Sequence, residues 1–376
     1  MRKYIKLLFL GTIVLMLVIG LGLSSFAQGK EELPSCESYA EVIVEALPEE
    51  IKTHLPNGSS YEEAVHNATS SYLVSLSTTF LKQSVHSTSS YLALFLTLLL
   101  LWSLAERIES AFGNKEDGLA SFIASFLVSF EAFSIVYLLF SEVMEYCQNI
   151  NRYMLTFSSV MGSISILGGG TMQVSKGTVA LSLTVSLLGS LCTVLLLPVI
   201  KISFASTLAS VASSRINLKS LSSLARGFFT FLIGFFATVS VVALTFQTKL
   251  AQAEDSLTAR GVRFAVSASI PIVGGAVGDS VRTLGAAVKV VQTSVGTLSM
   301  IGLIIMTLYP ISILFSAKIA LGLSKTIAGV LDVKRAESIL SEVSHLINML
   351  MATVAILSIL YIFITALFTS ATVPIA

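Results

Sequence analysis

Residues 269–280 read SIPIVGGAVGDS, within the longer run RGVRFAVSASIPIVGGAVGDSVRTLG at 260–285. A helix that crosses a bilayer needs about 20 consecutive, predominantly apolar residues, yet this stretch carries a proline, three glycines and an aspartate. Non-helical backbone at membrane depth is tolerated only where protein buries it or where it lines a watery cavity. We therefore expect a re-entrant or broken-helix element whose residues line or gate a path: Pro271, Gly274, Gly275, Gly278 and Asp279. Gly274 and Gly278 also have the spacing of close helix packing, which remains an alternative.

The composition indicates an integral membrane protein. Hydrophobic residues make up 54% of its 376 residues, charged residues only 12%, and the mean hydropathy is +0.85. Water-soluble domains carry a larger charged fraction, so we predict an all-α, polytopic helical membrane protein. The three cysteines, Cys36, Cys147 and Cys192, are too scattered for a disulfide framework or a CxxC metal site.

Two segments precede the first predicted span. Residues 1–27 place three basic residues before an apolar core and end in Ser-Phe-Ala, which is the pattern of an export signal peptide. Residues 28–84 are rich in glutamate, and their apolar residues recur at helical spacing. We predict a cleaved signal, with an uncleaved anchor as the alternative, followed by an external, acidic, helical arm.

Six apolar segments are long enough to cross a membrane. Two further apolar segments, at 153–172 and 264–281, are interrupted by glycine or proline. The predicted number of full spans is therefore six, seven or eight, and the first two spans form a unit at 85–152. The six clear spans lie at 88–105, 119–140, 179–200, 228–247, 297–317 and 346–369.

The two interrupted segments are similar to each other. SISILGGG at 163–170 aligns with SIPIVGGA at 269–276, and each is followed by a span that contains a proline, Pro198 or Pro310. We predict an internal duplication, with repeats at 153–247 and 264–370 and a helix kink at each proline; chance similarity of glycine-rich segments is the alternative. Paired interrupted segments in two repeats point to a transport path. They add Gly168, Gly169 and Gly170 to the candidate path-lining residues.

The distribution of charge predicts the topology. A connection at 201–226 carries four basic residues and no acid, and a second basic connection follows at 318–345. Cytoplasmic loops are enriched in Lys and Arg, so we expect both connections in the cytoplasm. Six full spans satisfy this if both interrupted segments enter and leave on the external side. Five basic residues at 247–296 weaken the argument and keep seven or eight spans open.

Glu131 lies in the middle of the second predicted span. An ionised carboxylate at that depth is costly unless it is paired or hydrated, so its side chain must face protein or water. Glu131 is therefore the candidate coupling residue for a proton or cation relay. Pairing with Lys201 or Lys318, or simple protonation, is the alternative.

No motif indicates an enzyme. The four histidines are isolated, no HExxH or paired-carboxylate motif occurs, and the glycines at 274–278 lack the lysine of a phosphate loop. We expect no catalytic residue, cofactor, metal site or nucleic-acid partner.

The order of these features resembles the stage III sporulation protein AE family of endospore-forming bacteria. The resemblance covers residues 75–370 and rests on TARGVRFAVSASIPIVGGAVGDSVRTL at 258–284, VGTLSMIGLIIMTLYPI at 295–311 and the final apolar helix. Its most specific features are Arg263-Phe264, the Ile-Pro-Ile-Val-Gly turn at 270–274 and Asp279.

The resemblance implies membership of the complex that joins mother cell and forespore. The expected partners are other stage III sporulation proteins, including a cytoplasmic ATPase and ring-forming subunits, together with stage II sporulation protein Q and membrane lipid. The expected location is the mother-cell membrane around the forespore, with the arm on the external, intermembrane side.

Two functions therefore compete at the level of the sequence. In the first, the chain is a membrane subunit of a channel or secretion-like complex that forespore development requires. In the second, it is a stand-alone secondary transporter with Glu131 as its intramembrane coupling residue. A third, structural role would be to scaffold partners through the basic connections.

Overall fold

The computed structural model describes residues 34–55, 70–111, 119–167, 182–190, 194, 196–212, 220–235, 238 and 274–370. These residues are almost entirely helical and include no strand, which confirms the predicted all-α membrane fold. Residues 182–190 form a helical stretch between α4 and α5. The helices are α1 (Pro34–Glu45), α2 (Glu49–Lys52), α3 (Ser70–Ala111), α4 (Leu119–Leu167), α5 (Leu197–Ala212), α6 (Ser220–Phe235), α7 (Gly274–Val330) and α8 (Lys334–Ser370).

Four of these helices are long and apolar enough to cross a membrane. Their apolar stretches are Ser75–Ile108, Ile123–Ile164, Lys289–Val330 and Lys334–Ala366, and they cover most of four of the six predicted spans. The predicted spans at 179–200 and 228–247 lie partly outside the described residues, as does the predicted signal at 1–27.

Helices α4 and α7 are much longer than a bilayer requires. They have 49 and 57 residues, about 74 Å and 86 Å at 1.5 Å per residue, whereas the hydrocarbon core is about 30 Å thick. The predicted boundary between the unit of the first two spans (85–152) and the first repeat (153–247) therefore lies inside a continuous helix. Polar residues such as Gln148 and Asn151 are compatible with a helix, and no glycine or proline interrupts residues 141–161.

Helix α7 begins at Gly274 and continues through Pro310 to Val330. The described part of SIPIVGGAVGDS, residues 274–280, is thus helical and not a turn, and no break separates it from the predicted span at 297–317. Each glycine costs a helix about 1 kcal/mol relative to alanine, a cost that the packing of so long a helix can override. Residues 264–273 lie outside the described part.

Helices α7 and α8 form an antiparallel hairpin around a turn at 331–333, where Asp332 takes a left-handed conformation with φ 60°. Two side-chain contacts lie far apart along it: Lys325 donates to the Ser341 hydroxyl, and Gln292 donates to the Phe368 carbonyl. We call the part of the bundle near this turn the turn half. It comprises residues 91–111, 119–140, 196–212, 220–235 and 313–350.

The remainder of the described bundle is the arm half, which comprises residues 34–55, 70–90, 141–167, 182–190, 274–312 and 351–370. Helix α3 runs parallel to α7, since Ser84 contacts Ser312 at 3.1 Å. Helix α4 runs antiparallel to α7, since Tyr146 contacts Thr307 and Tyr153 contacts the carbonyl of Ser299.

Helices α1 and α2 pack on the arm half. Ile43 and Leu47 are buried, and the Tyr72 hydroxyl donates a 2.5 Å hydrogen bond to the carbonyl of His54. Burial raises the pKa of Tyr72, so the phenol remains a protonated donor at neutral pH. The His54 ring also meets Phe80 edge to face, with centroids 4.8 Å apart. The described part of the predicted arm at 28–84 therefore packs on the bundle, since its last residues begin α3 and α1 and α2 contact that half.

The chain returns along α4 after residue 167. The Ser182 hydroxyl contacts Ser158 at 2.8 Å, and further along the chain the Phe204 ring meets Phe133 edge to face at 4.7 Å. The described residues of 182–190 and 196–212 therefore run antiparallel to α4, and residues 167 and 182 lie in the same half of the bundle. The interrupted segment at 153–172 is, as far as residue 167, the continuation of α4 into the arm half.

Candidate functional site

Exposed large apolar side chains gather on the turn half of the bundle. On α6 they recur every three or four residues and form one stripe, the pattern of a helix face that meets an apolar solvent. We call the following set the apolar belt: Leu100, Leu101 and Leu104 on α3, Phe126 and Phe130 on α4, Leu221, Leu224, Phe228, Phe231 and Phe235 on α6, and Phe315, Ile319 and Leu323 on α7.

The exposed side of α4 changes character near residue 141. Phe126, Phe130 and Tyr137 are exposed before this point. Beyond it, apart from Leu155, the exposed residues are polar: Ser141, Glu145, Gln148, Arg152, Ser159 and Ser163. The exposed side of α3 in the arm half is mostly polar as well, with Thr78, Thr79, Lys82 and His86. On α3 and α4 the arm half therefore presents a mostly polar surface, whereas Leu183 and Leu187 of the helical stretch 182–190 are apolar and exposed.

Buried hydroxyl groups join the helices of the arm half. The hydroxyl of Tyr146 contacts the Ser358 Oγ at 2.6 Å, and the Thr307 Oγ1 contacts the same atom at 3.0 Å. These three side chains belong to α4, α8 and α7. They are uncharged and hydrogen-bonded to one another, so they fix how the helices fit together and carry no evident chemistry of their own.

A group of charged side chains lies behind the α6 stripe of the apolar belt. Arg226 donates to the Glu342 carboxylate of α8 at 2.6 Å, with side chains 26% and 18% exposed. Lys325 of α7 donates to the Ser341 hydroxyl at 3.0 Å. His345 is exposed and close enough to interact electrostatically with Arg226, Glu342 and Lys325. We call Arg226, Lys325, Ser341, Glu342 and His345 the charged cluster.

The charged cluster lies at the level of the apolar belt. Leu224 and Phe228, which flank Arg226 in sequence, are exposed on the outer face of α6, while Arg226 points towards α8. Charged side chains at membrane depth face protein or water because lipid does not solvate them. The ion pair is partly exposed, and it lies on the side of α6 opposite the exposed Leu224 and Phe228.

The predicted site residues are not brought together in the described structure. Gly168, Gly169, Gly170 and Pro271 lie outside the described residues. Gly274, Gly275, Gly278 and Asp279 lie in the first two turns of α7, where only the backbone is described. Their role as path-lining residues stays a prediction.

Glu131 is half-buried on α4, within the turn half. It makes no ion pair with any residue that the structure describes, and its suggested partner Lys201 lies instead over the Phe140 ring, 5.2 Å from the centroid.

The two prolines predicted to kink helices lie in different surroundings. Residues 194 and 196, just before Pro198, are in π-helical conformation, and Pro310 is buried inside α7. Irregular helical turns are common near proline.

Sequence reasoning did not find the charged cluster. Arg226 belongs to the basic connection at 201–226, and the other members belong to the one at 318–345. Their basic charge predicted that both connections lie in the cytoplasm, but it did not predict a contact between them. Glu342 gave no distinct signal, because it is one of three acids beside four Lys and Arg residues at 318–345.

A family model described as stage III sporulation protein AE matches residues 61–372. The chain belongs to the stage III sporulation protein AE family. The match covers α3 to α8 and the whole charged cluster, whereas α1 and α2 precede it. No curated protein and no solved structure matches the chain. This member of the stage III sporulation protein AE family is therefore a multi-pass membrane protein with a role in sporulation.

Proposed function

We propose that the chain is a membrane subunit of a channel or secretion-like complex that links mother cell and forespore. The observation that carries the proposal is the charged cluster, because it places ionised groups at the level of the apolar belt in a chain of a sporulation family. Such groups line polar routes more often than they face lipid. The proposed partners are the other stage III sporulation proteins, with their ATPase and ring-forming subunits, and stage II sporulation protein Q.

The bilayer, in this proposal, surrounds only the turn half. The belt portions of α3 (residues 91–108) and α4 (residues 119–140) correspond to about 27 Å and 33 Å of helix, close to the thickness of a hydrocarbon core. Lys334 and Arg335 follow the turn at 331–333, which favours a cytoplasmic turn. The arm half then projects into the space between the two membranes of the developing cell.

Thiol labelling tests this placement of the bilayer. In a chain whose three native cysteines are replaced by serine, we expect Gln148→Cys to react with a membrane-impermeant maleimide in sealed vesicles that expose the arm side. Phe130→Cys is the matched control, because it lies on the same helix and its native side chain is 65% exposed. We expect it to react only with a membrane-permeant maleimide. Equal impermeant labelling at both positions would contradict the proposed boundary.

Glu131 distinguishes the complex subunit from a stand-alone transporter. We expect a deletion strain to lose spore formation, and both the native chain and Glu131→Leu to restore it, because the half-buried carboxylate has no ion-pair partner among the described residues. We also expect the purified chain alone in liposomes to move no solute. Solute flux by the chain alone that Glu131→Leu abolishes would replace this proposal with the transporter.

A further inference from the structure

We propose that the charged cluster selects anions: it is a site for oxyanions, such as phosphate or carboxylate groups, at the turn side of the route. This inference rests on the proposed function, because it presumes that water reaches the cluster. It adds the class of solute that the route favours.

The charges of the cluster do not cancel. Glu342 is the only acid in it, and Arg226 occupies that carboxylate at 2.6 Å. Lys325 donates to the neutral Ser341 hydroxyl and makes no ion pair with any described acid. The Lys325 ammonium group therefore has no described carboxylate within 4 Å, and the nearby Glu337, one turn from Ser341 on α8, holds its carboxylate beside Gly329 of α7 instead.

The neighbouring sequence adds more positive charge. Residues 201–253, which include α6 and all but the first four residues of α5, contain Arg215 and Lys219 and no acid at all. The cluster therefore has an excess of positive charge that nearby residues of this segment do not neutralise.

The setting strengthens the field of this excess charge. The apolar belt on α6 and α7 forms a low-dielectric wall beside the cluster, and such walls focus field lines and raise the local concentration of counterions. Lys and Arg side chains that line a passage favour anions and phosphate groups. Lys325 and Ser341 together offer an ammonium group and a hydroxyl group, a donor set that suits an oxyanion.

The local potential can be measured at Ser341. In the cysteine-free background, Ser341→Cys is treated with an anionic reagent, sulfonatoethyl methanethiosulfonate, and a cationic one, trimethylammonioethyl methanethiosulfonate. Each rate is divided by the rate of the same reagent with a free thiol. We expect the normalised rate to be about tenfold higher for the anionic reagent. Lys325 raises the thiolate fraction for both reagents alike, so the ratio reports the potential alone.

Two further variants identify the source of the potential. Adding Lys325→Gln to Ser341→Cys should lower the ratio severalfold. Lys334→Gln removes the same charge from a side chain that is 88% exposed, about 10 Å along the helix from Ser341. Salt screens charges at about that distance, so the ratio should stay nearly unchanged.

The outcomes separate this inference from the proposed function. If Ser341→Cys reacts with neither reagent, water does not reach the cluster, and the route through it is overturned. If it reacts with both and the ratio is one or lower, the route stands and anion selection is overturned. An equal effect of Lys325→Gln and Lys334→Gln would show that the cluster does not create the potential.

The same thiol identifies the source of the oxyanion. Inorganic pyrophosphate should slow the reaction of Ser341→Cys in phosphatidylcholine nanodiscs if the anion is a solute. Phosphatidylglycerol in the nanodisc should slow it without pyrophosphate if the anion is a lipid headgroup. If neither slows the reaction, the cluster is not an oxyanion site.

Discussion

Reversing one charge of the Arg226–Glu342 pair is expected to abolish spore formation. Arg226→Glu would place two carboxylates where an ion pair now closes at 2.6 Å. Leaving a buried charge unpaired costs on the order of 3 kcal/mol or more in folding free energy. Because both side chains are partly exposed, we expect a cost near the lower end of that range for this pair. Because the pair joins α6 to α8, we expect the two helices to separate within the apolar belt.

The reversed pair provides the decisive comparison. Glu342→Arg alone should fail like Arg226→Glu, and the chain that carries both substitutions should recover part of the spore yield. Recovery should be incomplete, because the Ser222 hydroxyl donates to the Glu342 carboxylate at 3.4 Å. An arginine at position 342 has no acceptor for that hydrogen bond. Spore yield is measured in a complemented deletion strain, beside the amount of chain in the membrane fraction.

Lys52→Glu is a matched control for Arg226→Glu. Lys52 and Glu49 also meet at 2.6 Å, but the glutamate side chain is 87% exposed. Exposed ion pairs contribute about 0 to 1 kcal/mol, so Lys52→Glu should leave spore yield near normal. If the double reversal is no better than the single variants, or if Lys52→Glu is equally harmful, the pairing of Arg226 with Glu342 is not the cause.

The fold class followed from composition, but the extent of the spans did not. Hydropathy counts an apolar side chain equally whether it faces lipid or another helix. Ile305 and Leu350 are apolar and fully buried, so the predicted spans at 297–317 and 346–369 include residues that pack against protein. Only burial separates the apolar belt on the turn half from the apolar core of the arm half, and burial depends on which helices become neighbours.

Glu131 could be identified from the sequence, whereas the charged cluster could not. Glu131 stands out because it is a single acid among apolar residues of one span. Arg226 and Glu342 lie 116 positions apart, in segments whose mixed polarity is typical of surface connections. Local patterns carry no information about such a pair, because the contact exists only when α6 packs on α8.

A large loss of stability is also expected for Gly296→Val. A Cβ atom at Gly296 of α7 would overlap the Thr369 hydroxyl and approach its Cγ2 to 2.8 Å. Thr369 is buried and donates to the Thr365 carbonyl at 2.7 Å, so it can turn aside only by losing that bond. Overpacking a core costs about 1 to 3 kcal/mol of stability. We expect the cost of valine to lie at the upper end of this range, because the Gln292 hydrogen bond to Phe368 holds α7 and α8 together one turn away.

Gly322→Val provides the control for this prediction. Gly322 lies on the same helix, and a Cβ atom there meets nothing within 4 Å. Any side chain relieves the helix cost of glycine, so Gly322→Val should leave the melting temperature of the detergent-purified chain unchanged or slightly raised, while Gly296→Val lowers it. Adding Thr369→Ala to Gly296→Val removes the two closest atoms and should recover part of the loss. Equal melting temperatures for the two valine variants would show that α7 and α8 do not approach each other this closely at Gly296.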